Sequence, residues 1–210
     1  MDSIDLTPVL SRLQVHFTIL GYCLIAIWSV SVLNFLLNGQ LNRFALRPRT
    51  SEGLVGIVFS AFLHGSWRHL LNNTPPFLIL GWFILLLQGP IDFWIVTLVS
   101  EVLSGIATWC LGGAGRQIGA SRLIFAYFGF LLLRGYFQES TMAVLASIAT
   151  IFLYGWTLQL MVPRDRRPDG SRMSWEGHLF GFVSGIVVAR YLEDLRPFAE
   201  WIGTRLQSFQ

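Results

Sequence analysis

Gly112-Gly-Ala-Gly-Arg-Gln-Ile-Gly-Ala-Ser121-Arg-Leu-Ile-Phe-Ala-Tyr-Phe-Gly-Phe-Leu-Leu-Leu133 decides how this chain is read. A glycine-rich stretch runs into an apolar segment that opens on a serine and closes at Arg134-Gly135. As helix, the thirteen residues Ser121–Leu133 cover only ~20 Å. The hydrocarbon core of a bilayer is about 30 Å thick. With Arg134 at one surface, Ser121 starts partway down the membrane. The glycine-rich loop before it then lies at membrane depth without helical hydrogen bonds. Such backbone is tolerated only where protein buries it or where it lines a water-filled cavity. The expectation is a wet pocket with Ser121 at its floor.

The flanking sequence has the composition of an integral membrane protein. Charged residues make up 13% of the 210 residues, against roughly 25% in soluble domains. Hydrophobic residues reach 53%, and the mean hydropathy is +0.57. The net charge of +3 comes from 15 arginines and no lysine, placed between apolar runs. That placement suits contact with lipid headgroups and argues against nucleic acid as a partner. Cys23 and Cys110 fall inside apolar runs and read as small hydrophobes. The acidic start, Met-Asp-Ser-Ile-Asp5, does not fit a cleavable signal, so the first apolar run is expected to persist in the mature protein.

Phe17–Leu37 is an uncharged run of 21 residues, enough to span. Leu54–Trp67 is apolar but too short to span, and reads as re-entrant or interfacial. Arg68–Leu87 is the second span, with Pro75-Pro76 expected to distort it. Phe93–Leu111 is the third and carries Glu101, which has no partner that spacing can name. Ser121–Leu133, Thr141–Val162 and Trp175–Tyr191 complete the set, with an exposed loop over 163–172. The expected fold is all-α: a six-transmembrane-helix bundle with a short fourth helix. Its membrane domain is 17–192, flanked by short tails at 1–16 and 193–210.

Ser121 has two readings. It is an N-cap, or it is a nucleophile whose own N–H helps to hold an oxyanion at the positive end of a helix. His178 lies inside a span, where histidine is costly and a functional candidate. Gly181 and Gly185 share its helical face, and Gly129 in the fourth helix offers a matching gap. Close packing there brings His178 toward Ser121 as a general base. The competing reading is a structural histidine at a helix contact. His69 and Asn73 stand four apart on one face and can both donate to an oxyanion. Glu176 points elsewhere on its helix, so the arrangement is a dyad rather than a triad. His64 reads as structural. Metal binding by His64 and His69 lacks a nearby carboxylate or cysteine, and no cofactor is expected.

These stretches, His64 to Asn73, Gly119-Ala-Ser121 and His178-x-x-Gly181-x-x-x-Gly185, resemble the rhomboid family of intramembrane serine proteases over about residues 17–191. The resemblance implies Ser121 as nucleophile, His178 as base, and His69 and Asn73 at the oxyanion. It implies structural or packing roles for Gly81, Gly119, Gly129, Gly181 and Gly185. It also implies transmembrane protein substrates, cleaved in their membrane segments near the surface of the lipid bilayer, in a bacterial plasma membrane or an organellar membrane. Three departures stand out. Arg122 replaces the usual glycine after the serine and is expected to narrow the pocket or lower turnover. Phe125 stands where many members have tyrosine, and the Trp-Arg pair of some first loops is absent from 38–54. With both termini cytosolic, as in the family, more arginines fall on the opposite side than the positive-inside rule favours. A catalytically inactive binder of transmembrane helices is the alternative, and a small transporter a third reading. Oligomeric state is not legible.

Overall fold

The computed structural model describes residues 5–163 and 174–207. Among them the fold is helical, with one isolated bridge between Leu46 and Gln117. The α-helices are α1 (Thr7–Leu36), α2 (Gly56–Phe59), α3 (Trp67–Gln88), α4 (Pro90–Leu111), α5 (Ser121–Gln138), α6 (Thr141–Tyr154) and α7 (Trp175–Gln207). A 3-10 segment, Gly155–Met161, continues α6. Four helical stretches are long and apolar enough to cross a membrane: Thr7–Leu36, Trp67–Gln88, Pro90–Leu111 and Thr141–Met161.

Several boundaries differ from the sequence expectation. α1 starts at Thr7, with Pro8 in its first turn where a missing N–H costs nothing, so most of the expected N-terminal tail is helical. α5 does not stop at Leu133 but runs to Gln138; its 18 residues reach ~27 Å, so the argument from a short helix lapses. Arg134 fails to end it because the side chain is satisfied inside the protein, on Gln88, the Ala189 carbonyl and Glu193. α7 continues through a kink at Tyr191 to Gln207, so the expected C-terminal tail is also largely helical. α3 stays continuous through Pro75 and Pro76. The prolines remove the N–H partners of the Leu71 and Asn72 carbonyls without breaking the helix. Most of the expected 163–172 loop lies outside the described residues.

α5 is the central helix. Its residues from Arg122 to Leu131 are buried, and the Tyr127 ring is fully enclosed, its hydroxyl 2.7 Å from Thr97 Oγ1 on α4. Contact with α7 is backbone on backbone. A Cβ added at Gly181 would lie 2.1 Å from the Arg122 carbonyl oxygen, and one at Gly185 1.9 Å from that of Ala126. Reciprocally, a Cβ at Gly129 would meet the Phe182 oxygen at 2.1 Å. Gly129, Gly181 and Gly185 all lie at this close backbone approach of α5 and α7. Gly81 is less tight, with the Leu20 side chain 3.1 Å from such a Cβ. α6, by contrast, turns Met142, Ile148 and Phe152 outward, as a lipid-facing helix would.

The segment between α1 and α3 folds back on α4 and the serine loop. Gly56 lets α2 approach the Leu46 backbone, and Gly105 of α4 accommodates Ile57, whose Cγ2 would be 2.6 Å from an added Cβ. Leu46 and Gln117 exchange backbone hydrogen bonds of 3.1 and 2.9 Å. This tethers the loop preceding Ser121.

Candidate active site

Ser66 opens α3 as its N-cap, accepting from the His69 N–H at 3.2 Å. That start point puts His69 and Asn73 on the first turns of the helix, one above the other. Gly119, the third participant, has φ +111°, a region open to glycine and strained for other residues. An added Cβ there would be 2.5 Å from His69 Cε1 and 3.4 Å from Asn73 Nδ2. Gly119 is thus more than a packing position: it lets the serine loop close onto the imidazole and amide of α3.

Ser121 is the first residue of α5, but the helix is capped by Ala120, and no side chain provides the cap. The Ser121 hydroxyl instead meets His178: Oγ lies 3.1 Å from Nε2. The other ring nitrogen, Nδ1, is 3.1 Å from the Leu160 carbonyl oxygen. A carbonyl only accepts, so in the neutral ring Nδ1 carries the proton and Nε2 turns its lone pair to the serine. The ring is 6% exposed and stacks on Phe125, with centroids 4.4 Å apart and an 18° interplanar angle. Leu160 as the orienting group was not legible in the sequence, since any residue supplies a carbonyl.

His64 is fully buried and acts as a connector. Asn73 Nδ2 donates to its Nε2 at 3.0 Å, so its Nδ1–H faces Ser31 Oγ of α1 at 2.9 Å. Ser31 in turn donates to the Phe62 carbonyl at 2.9 Å. The run of donors fixes one tautomer and leaves one Asn73 N–H free of this chain of bonds. His64 also meets the His69 ring edge-on, with centroids 4.9 Å apart. Ser31 and Asn34 of α1, both buried, were not singled out by sequence, because polar residues in a span carry no partner information.

Arg122 forms part of the cavity wall, but its guanidinium is buried and ion-paired to Glu101 of α4, and Nη2 also donates to the Ile57 carbonyl at 2.8 Å. It therefore does not project across the pocket as expected, and Glu101 gains the partner that spacing alone left unnamed. His69, Asn73, Gly119, Ser121 and His178 line one cavity of about 1230 Å³. Among the described residues no cluster of three or more His, Cys, Asp or Glu side chains has metal-binding geometry.

A serine hydroxyl on an imidazole, beside two side-chain donors in a large cavity between apolar helices, is a recurring arrangement. Residues 51–194 match the family described as Rhomboid domain. The chain belongs to the rhomboid family. Uncharacterized proteins of Mycobacterium tuberculosis and Mycobacterium bovis are each 35% identical over 172 residues, covering 79% of this chain and 70% of theirs. An uncharacterized protein of Mycobacterium leprae matches at 35% over 172 residues, 67% of its length. With family and apolar helices together, this rhomboid-family chain is a membrane protein.

Proposed function

We propose that this rhomboid-family protein is an intramembrane serine protease that hydrolyses peptide bonds in or near transmembrane segments of membrane-protein substrates. The observation that carries the reading is Ser121 Oγ at 3.1 Å from His178 Nε2 while Nδ1 is held by Leu160. Ser121 attacks the scissile carbonyl, and its proton passes to Nε2. The Ser121 N–H, His69 and the free N–H of Asn73 face the developing oxyanion. His178 returns the proton to the leaving amine, and water from the cavity cleaves the acyl-enzyme.

The chain crosses the membrane six times, through α1 and α3 to α7, with α2 and its flanking loop re-entrant. Its bacterial relatives point to a bacterial plasma membrane. The inactive-binder alternative rested on Arg122 and Phe125. Arg122 directs its charge away from the cavity, and Phe125 supplies a face for the imidazole, so neither removes the chemistry. The test is cleavage of a transmembrane substrate in liposomes by wild type and by Ser121→Ala. Product from wild type alone supports the protease. Capture of substrate with no product from either supports the binder.

A further inference from the structure

Ser121 is followed by a buried cation whose partner is a buried anion on another helix. Side-chain exposures of Arg122 and Glu101 are 7% and 9%. A buried ion pair is a poor way to gain stability. Replacing such a pair with packed apolar side chains is often neutral or better, whereas removing one partner strands the other charge. One nitrogen of the planar guanidinium, Nη2, serves both Glu101 and the Ile57 carbonyl, so the rigid group holds that donor between two elements.

Arg122 is held from two sides. Its carbonyl packs against Gly181 of α7, at 2.1 Å from an added Cβ. Its guanidinium reaches Glu101 on α4 and the Ile57 carbonyl in α2. Ile57 is itself seated on Gly105, one turn beyond Glu101 on α4. The residue after Ser121 is therefore registered against three helices at once, and adjacent Cα atoms are only about 3.8 Å apart. We infer that the Arg122–Glu101 pair is a positioning device that sets the depth and rotation of Ser121 relative to His178. The inference rests on the protease reading above. A misplacement of ~1 Å at a reacting atom costs about 10²-fold in rate, so a rigid tie on the neighbouring residue acts on turnover and leaves substrate affinity alone. The Arg122 side chain bonds to Glu101 and the Ile57 carbonyl, while Ser121 Oγ bonds to His178.

The experiment uses the full chain in liposomes, read by labelling of Ser121 with a fluorophosphonate, by kcat and KM for a transmembrane substrate, and by thermal melting. Two variants separate position from stability. Glu101→Leu/Arg122→Met removes both charges while keeping bulk, and Arg122→Lys keeps a cation but loses the planar group that sets Nη2 between Glu101 and the Ile57 carbonyl. The double variant should melt like wild type yet label ~10²-fold more slowly, with kcat reduced alike and KM within about twofold. Arg122→Lys should fall between, roughly 10-fold slow. A wild-type labelling rate in the double variant overturns the inference. If the double variant does not fold, a wild-type rate in folded Arg122→Lys overturns it. Failure of the protease reading is distinguishable: wild type itself would then go unlabelled at Ser121.

Discussion

Arg122 and Arg134 both lie on α5, both are buried at 6% and 3% exposure, and each pairs with a carboxylate on a neighbouring helix. Their partners differ. Glu101 is enclosed in the protein, whereas the Glu193 side chain is 59% exposed. Arg134 spreads its fork over Gln88, the Ala189 carbonyl and Glu193, and Glu193 is shared with Arg196, which also grips Asp92. At the Ser121 end both partners are buried and the Ile57 carbonyl shares the guanidinium; at the other end the pair joins a network with exposed members. The same residue types therefore do different work along one helix. Near Ser121 the charge ties α5 to α4 and α2, and near Arg134 it joins the ends of α3, α4, α5 and α7.

If the two ends divide chemistry from closure, changes at the first should abolish activity without unfolding the protein. Ser121→Ala and His178→Ala are expected to reduce cleavage to background, a loss of about 10⁴-fold or more, with unaltered helix content by circular dichroism. Cleavage surviving Ser121→Ala would erase the distinction. Asn73→Ala comes next, with kcat lower by ~10²–10³-fold as for other oxyanion donors. Because Asn73 also donates to His64, Ser31→Ala serves as its control: a comparable loss there would show that the α1 network, rather than the Asn73 donor, carries the effect.

The opposite end should show the reverse pattern. Arg134→Met removes three hydrogen bonds but relieves a buried charge, so melting should fall by the equivalent of about 1–3 kcal/mol, with kcat per folded molecule unchanged. A drop in kcat larger than the loss of folded protein would mean that the closure end reaches the site.

The sequence carried the seam and the site better than the ties that hold them. Glycines at 129, 181 and 185 announce themselves because small residues at helical spacing have one obvious use, and histidines inside apolar runs demand an explanation. The structure brings Ser121, His178, His69 and Asn73 into one cavity. Other features had no local signal. The Leu160 carbonyl is invisible because every residue has one. Glu101 and Arg122 are 21 residues apart on different helices, and periodicity says nothing of pairs across helices. Arg134 looks like a terminus because a lone arginine after an apolar run usually marks the interface; here buried acceptors draw it inward. The C-terminal extension of α7 has the same cause, since Arg196 pairs with Asp92 on α4.

The smallest effect belongs to Glu193, and its sign is fixed. Hydrogen bonding to Arg134, with help from the Arg196 charge and against a small burial penalty, holds the Glu193 carboxyl below its ordinary range. A carboxylate with a depressed folded pKa contributes stability above the unfolded value, about 4.3, and loses it as pH falls through the folded value. The carboxylate is largely exposed, so the contribution is screened and belongs with surface pairs, below ~1 kcal/mol. Glu193→Gln should therefore lower the melting temperature slightly at pH 7, and the gap from wild type should close as the pH is brought below about 4. A gap at Glu193 that stayed constant with pH would mean that its contact with Arg134 is packing rather than charge, and the contrast between the two ends of α5 would shrink to one of burial alone.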